Sequence, residues 1–210
     1  MGLIDWIRTR TGDNVHIRAD IAKIRDLPGN TQIERMGAFM HHVCVECAAR
    51  FVQDEQRRGK DSIFAGLDHR HFFHEMLLLN YWLANRMLGG KDGLLLGEMQ
   101  KHYLVSFHHL SGKEKADDLS HMHERFAAFD DTWDDVTGHQ DIFAEKFMSY
   151  LVPDVSGHVK NSVGFWIISH AFEARKKFRD IRMICKDLQV RTRIPGKKSL
   201  PESTHSEANP

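Results

Sequence analysis

Between Asp68 and Leu88 the chain is apolar over more than half of a helical circumference. Read at about 100° per residue, Phe72, Phe73, Met76, Leu77, Leu79, Leu83, Ala84, Met87 and Leu88 cover one arc, which only Asn80 interrupts. His71, Glu75, Leu78, Trp82, Asn85 and Arg86 form the remaining stripe. A helix apolar this far round is buried on several sides, so the pattern predicts the central helix of a bundle. Its charges lie too close together for a membrane span.

The flanking segments repeat the three-and-four spacing of amphipathic helices. A short helix is predicted from Val15 to Leu27, with Ile17, Ile21, Ile24 and Leu27 on one side and Pro28-Gly29-Asn30 as its stop. Thr31 and Glu34 read as a capping box opening a long helix. Its seam is Ile33, Met36, Met40, Val43, Cys44, Cys47 and Phe51, and Gly59 ends it. Beyond the central helix a further one runs from Gly93 to Leu110, with Leu96, Met99, Tyr103, Leu104 and Phe107 inward. Ser111 and Glu114 form a second capping box. The helix behind it is more polar, apolar only at Leu119, Met122, Phe126, Ala127 and Phe129, and should cover an edge. Residues 130–138 read as an acidic loop holding Trp133. Thr137 and Gln140 are placed to cap a helix from Ile142 to Leu151, stopped by Pro153. The longest helix follows, from Gly157 to Val190.

No segment alternates as a strand does, and no repeat recurs at a fixed period. The prediction is an all-α fold, an irregular helical bundle of four main helices with two or three accessory ones. Residues 1–30 form an arm with short helices, 31–190 a single bundle domain, and 191–210 a disordered polar tail.

Composition adds one anomaly. The 29 basic and 29 acidic side chains cancel, so no global field attracts nucleic acid or membrane. Histidine, at fifteen residues, is abundant, and imidazole is both the commonest metal ligand and the side chain that titrates near neutrality. Three cysteines, Cys44, Cys47 and Cys185, do not make a disulfide framework. The apolar run at Leu3–Ile7 is too short for a signal peptide, and Trp6 stands where myristoylation expects Ser or Thr. These features predict a cytoplasmic protein.

Several histidines have chemically suggestive neighbours. On the last helix His170 lies within an apolar arc formed by Val163, Ile167, Ala174, Phe178 and Ile181, with Glu173 on its flank. A buried imidazole needs hydrogen-bond partners. A backbone carbonyl or carboxylate would make His170 structural; a facing ligand set would make it functional. His71 with Glu75, Glu98 with His102, and His42 with Glu46 are His–Glu pairs four residues apart. Bundle metal sites use such pairs projecting inward from facing helices. Convergence of His170, Glu173, Glu98, His102, His71 and Glu75 would make an iron, manganese or zinc centre, and the protein a sensor or small oxidase. The same pairs also stabilise exposed helices without any metal.

His71-Phe72-Phe73-His74-Glu75 resembles the His-Phe-x-x-Glu segment of hemerythrin, and Trp166 through His170 to Phe178 is similar to that family's last helix. The resemblance implies a metal-carrying bundle, an oxygen- or redox-linked sensor or a small oxidase. The chain departs from the family in having Arg175 in place of the bridging Asp, and only Glu98 and His102 for the His-x-x-x-His pair. Some fifty residues separate the third long helix from the last, where the family has a short connection.

Cys44 and Cys47 form a lone CxxC on an apolar seam, without the preceding strand of a redox motif, and read as small core residues. Arg175, Arg179, Arg182 and Lys186 make one basic row along the last helix. A solvated face is one reading of it; a docking stripe for an acidic partner is the other. Single-stranded nucleic acid would want aromatics interleaved in the row itself. The acidic segment around Trp133 can meet the row within the molecule or between subunits. No phosphate-binding loop, dinucleotide fingerprint or nucleophile elbow is present. Taken together, these features lead to a non-catalytic regulatory or adaptor bundle that binds a protein partner; the alternative is the metal-carrying bundle.

Overall fold

The computed structural model describes residues 15–62, 64, 67–89, 93–106, 112–135, 138–151 and 157–190. Among them are seven α-helices and no strand. They are α1 (residues 15–25), α2 (Gly29–Arg58), α3 (His69–Leu88), α4 (Leu94–Ser106), α5 (Gly112–Thr132), α6 (Asp141–Leu151) and α7 (Gly157–Asp187). A single 3₁₀ turn, Gly59–Asp61, follows α2. The all-α expectation holds. The arm before residue 15, Phe107, the Ser111 cap, Thr137 and the 191–210 tail lie outside the described residues.

Helix α3 is the hub. It packs against α2, α4, α5, α6 and α7, and twelve of its twenty residues are buried, too many for a single inward face. Asp68 opens it by accepting a hydrogen bond from the Arg70 amide at 2.9 Å. Gly89 closes it, its N–H donating to the Asn85 carbonyl. Leu78, Trp82 and Glu75, assigned from the pattern to the less apolar stripe, are buried as well, because α5 and α6 cover that side. Trp82 is enclosed by Phe129, Trp133 and Phe143, and its indole N–H donates to Asp130 at 3.0 Å. Glu75 is matched by Arg125 through two hydrogen bonds of 3.1 and 3.2 Å.

Three local expectations are corrected. Helix α2 starts at Gly29 rather than Thr31, with Pro28 as its cap, and the Thr31–Glu34 capping box does not form. The proline carbonyl accepts the first helical bond from the Gln32 amide. The Gln32 side chain turns back to hydrogen-bond the Arg25 and Leu27 carbonyls, satisfying the end of α1. Helix α5 continues to Thr132, so the first residues assigned to the acidic loop are helical; Trp133 is buried, and Ala127 faces solvent. Gln140 does not cap α6 with its side chain. Its buried amide braces the loop instead, bonding both the N–H and the C=O of Asp134.

At the crossing of α2 and α4 the helices approach so closely that a Cβ at Gly37 would collide with the Glu98 Cβ and the backbone behind it. Gly59 adopts φ +58°, the left-handed conformation that favours glycine after a helix.

Candidate functional site

His170 is where the pattern placed it, against the core, with its ring 4.7 Å from that of Phe51. Its partner is neither a backbone carbonyl nor a carboxylate. Nε2 lies 3.1 Å from Oδ1 of Asn80, the residue that interrupts the apolar arc of α3. The two polar interruptions on α3 and α7 pair with each other. With Asn80 Oδ1 accepting, Nε2 carries the proton, and the Asn80 amide nitrogen has no partner among the described residues.

Burial holds the His170 imidazole at a pKa of about 4, well below its ordinary value, so it is neutral at pH 7. In the unfolded chain it protonates near 6.5. Between those values the unfolded state binds more protons, so this contribution is fully present above about pH 6.5 and is lost as pH falls toward 4. Relative to His170→Gln, the wild type should lose on the order of 3 kcal/mol of stability across that interval. Denaturant unfolding at a series of pH values checks this. Parallel curves for the two proteins would contradict it.

The remaining residues considered as metal ligands are dispersed over different helix junctions. Glu173 is exposed on the outside of α7. Glu75 is committed to Arg125 between α3 and α5. His71 is bonded through Nε2 to the Tyr150 carbonyl at the end of α6, 2.8 Å away. Glu98 pairs with Lys101 at 2.7 Å, and His102 stacks on His41 with ring centres 6.1 Å apart. Among the described residues no three His, Cys, Asp or Glu side chains gather as a metal-ligand group. The six candidates therefore do not fit a shared iron, manganese or zinc centre, and the hemerythrin-like segment does not assemble one. Spacing of four puts a His and a Glu on one helical face, but here each finds a different neighbour.

Sequence reasoning missed two buried tyrosine–histidine pairs. Tyr81 donates its hydroxyl hydrogen to the Met99 carbonyl at 3.1 Å, so His41 Nδ1 is the donor in its close contact with Tyr81 Oη. Burial, then the neighbouring His102 and His42, lower the His41 pKa. On the other side Tyr103 hydrogen-bonds Asp118 and receives His74 Nε2 at 2.6 Å. Burial pushes the Asp118 carboxyl upward, but the bonds from His74 and Tyr103 outweigh it and hold the group below its ordinary range. Burial, reinforced at Tyr103 by Asp118, raises both phenols far above the usual value. Neither is an available nucleophile or proton donor near pH 7, and the pairs act as polar braces between α2, α3, α4 and α5.

A cleft of about 320 Å³ lies beside the end of α2 and the start of α3, with Val52, Phe64 and Phe72 against Glu55, Ser62 and His69. Its buried carboxylate, Glu55, already accepts from the Ser62 hydroxyl at 2.8 Å and pairs with Arg58. Cys44 is buried, and its thiol pKa is raised well above normal, chiefly by desolvation; Cys47 is half-buried. Cys44 therefore lacks the environment of a reactive thiolate.

The outer face of α7 is different in kind. Phe165, Phe172 and Met183 are exposed at 64, 43 and 52 %, which is unusual for side chains of this size. At 100° per residue the three fall within about 20° of one another, with Lys176 beside them. Arg179, Arg182 and Lys186 are exposed along one edge of this line. Arg175, the first residue of the basic row, is withdrawn from it. It pairs with Asp135 at 2.9 Å and lies over the Trp133 ring, so one end of the row meets the acidic segment within the molecule. The docking stripe therefore shortens to the last three cations and gains an apolar centre that the basic row alone did not reveal.

No protein-family description, curated protein or solved structure matches this chain. No helix among the described residues is long and apolar enough to cross a membrane.

Proposed function

We propose that the protein is a non-catalytic interaction bundle, regulatory or adaptor in role, whose contact surface is the outer face of α7. The observation that carries this reading is the line of three exposed large apolar side chains, Phe165, Phe172 and Met183, edged by Arg179, Arg182 and Lys186. Large apolar groups left mostly in water mark contact surfaces, and flanking charge selects the partner; here Phe172 lies against the Trp133 ring and Phe165 beside Trp166, with their outer sides exposed. The complementary partner is a protein segment that presents an apolar seam and an acidic edge, in the manner of helix-against-helix recognition. The braced interior suits this role, since a rigid scaffold presents the face without reordering it.

The test is a fluorescence anisotropy titration of the full chain with a synthetic amphipathic peptide carrying leucines on one face and glutamates along its edge. Binding that weakens roughly tenfold or more in the Arg179→Glu/Arg182→Glu variant, with an unchanged melting temperature, is the expected result. Equal binding by the variant would contradict the assignment. Loss of folding in the variant would show that the row is internal.

A further inference from the structure

The exposed side of α7 carries a second charged row, opposite the first. Around the line of Phe165, Phe172 and Met183, the cations Arg179, Arg182 and Lys186 lie on one edge within about 60°. Glu173, Asp180 and Asp187 lie on the other within about 40°. Of the acidic row, Glu173 and Asp187 are exposed and Asp180 is half-buried; Asp187 pairs with Arg18 of α1 at 3.5 Å, with both side chains about half exposed. The face is thus a line of three apolar side chains, interrupted by Lys176, with one basic and one acidic border.

We infer that the partner of this face is a second copy of the chain, with the two α7 helices side by side and parallel about a two-fold axis. The inference rests on the reading of α7 as a contact surface. Geometry makes the choice. When two identical helices pair in parallel about an axis along their length, each helix's left edge meets its partner's right edge, so the basic row faces the acidic row on both sides of the seam. In an antiparallel pair like edges meet, basic against basic and acidic against acidic. The sorted charges therefore favour self-association in one orientation and oppose the other, as edge charges do in coiled coils. From Phe165 to Asp187 the face runs about 34 Å at 1.5 Å per residue. One helix pair of that length belongs at the small end of protein interfaces, so the dimer should be reversible and dependent on concentration.

The experiment is sedimentation analysis of the full chain over a concentration series, with two charge-reversed variants. In one, Arg179→Glu, Arg182→Glu and Lys186→Glu make both edges acidic; in the other, Glu173→Lys and Asp180→Lys make both basic. The wild type should pass from monomer to dimer as concentration rises. Each variant alone should dissociate at concentrations at least roughly tenfold higher than the wild type requires. An equal mixture of the two variants should recover the dimer. For orientation, Met183→Cys in a Cys47→Ser background should cross-link to itself on mild oxidation in the parallel pair, whereas an antiparallel pair centred on this face would hold the two positions about 20 Å apart.

A wild type that stays monomeric at every concentration would overturn the inference, as would a variant mixture that does not associate. A Met183→Cys dimer that fails to cross-link would overturn the parallel arrangement. Titrating the same sample with the acidic peptide separates the two claims. A monomer that binds the peptide keeps α7 as a contact surface and rejects self-pairing; a monomer that does not bind it rejects both. Circular dichroism of each variant establishes that it is folded before its association is scored.

Discussion

Arg125→Ala should destabilise the protein by about 3–5 kcal/mol, measured by denaturant unfolding. The cause is the partner it leaves behind. Glu75 has only 3 % of its side chain exposed and holds both carboxylate oxygens against the Arg125 guanidinium. Without Arg125 that charge stays in the interior between α3 and α5 uncompensated. The guanidinium also lies 3.5 Å from the centre of the Tyr150 ring, so the change removes packing at the end of α6 as well. Glu75→Gln should cost less than Arg125→Ala, since it leaves a neutral amide able to accept from the arginine. Replacing both residues by leucine should recover much of the loss. An Arg125→Ala cost below about 1 kcal/mol would mean that the pair is hydrated and the α3–α5 junction looser than described.

Trp82→Ala should cost a similar amount, about 3–5 kcal/mol, by a different route. Trp82 is fully buried where α3, α5 and α6 meet, stacked on Phe143 with ring centres 5.8 Å apart and edge-on to Phe129 and Trp133, each at 5.5 Å. Truncation opens a cavity among rigid rings that cannot collapse to fill it. Trp82→Phe separates the terms. It keeps most of the aromatic packing but loses the indole N–H bond to Asp130, and should cost roughly 1–2 kcal/mol. Asp130 is held by Arg86 at 2.5 Å in any case, so the carboxylate itself stays paired. Equal destabilisation by Ala and Phe would place the effect in the hydrogen bond rather than in the packing.

Both residues show where the sequence is readable and where it is not. The hydrophobic arc of Asp68–Leu88 identified α3 as the central helix because burial on several sides leaves a broad apolar record in one short stretch. Glu75 and Trp82 lay on the remaining stripe, outside that arc. Their partners, Arg125 and Asp130, lie about fifty residues further along, and nothing in local spacing announces a long-range ion pair. His170 was legible as an inward histidine for the same reason as α3. Its partner Asn80 was visible as a flaw in an otherwise apolar arc, but joining the two flaws required knowing that α3 and α7 are neighbours. The Thr31–Glu34 box failed because Thr-x-x-Glu recurs cheaply, whereas the proline fixes where the chain turns into α2. The His–Glu candidates do not gather among the described residues for a topological reason: four-residue spacing aligns a pair on its own helix and says nothing about which other helices that face meets.

The α7 face was half legible. Its basic row stood out as a charge run, while Phe165, Phe172 and Met183 look like ordinary core residues until the inward side of the helix is fixed by Ile167, Ala174, Phe178 and Ile181. Once those are buried, the other three are left on the outside.

The most direct test of that face is hydroxyl-radical footprinting of Met183, with buried Met76 and Met148 as internal references, in dilute and then in concentrated solution. In dilute protein Met183 should oxidise far faster than either reference, and its rate should fall as concentration rises or the acidic peptide is added. A Met183 as protected as Met76 in dilute monomer would show that the face is covered by the chain itself. A rate that stays high under every condition would show that nothing of this chemistry docks there.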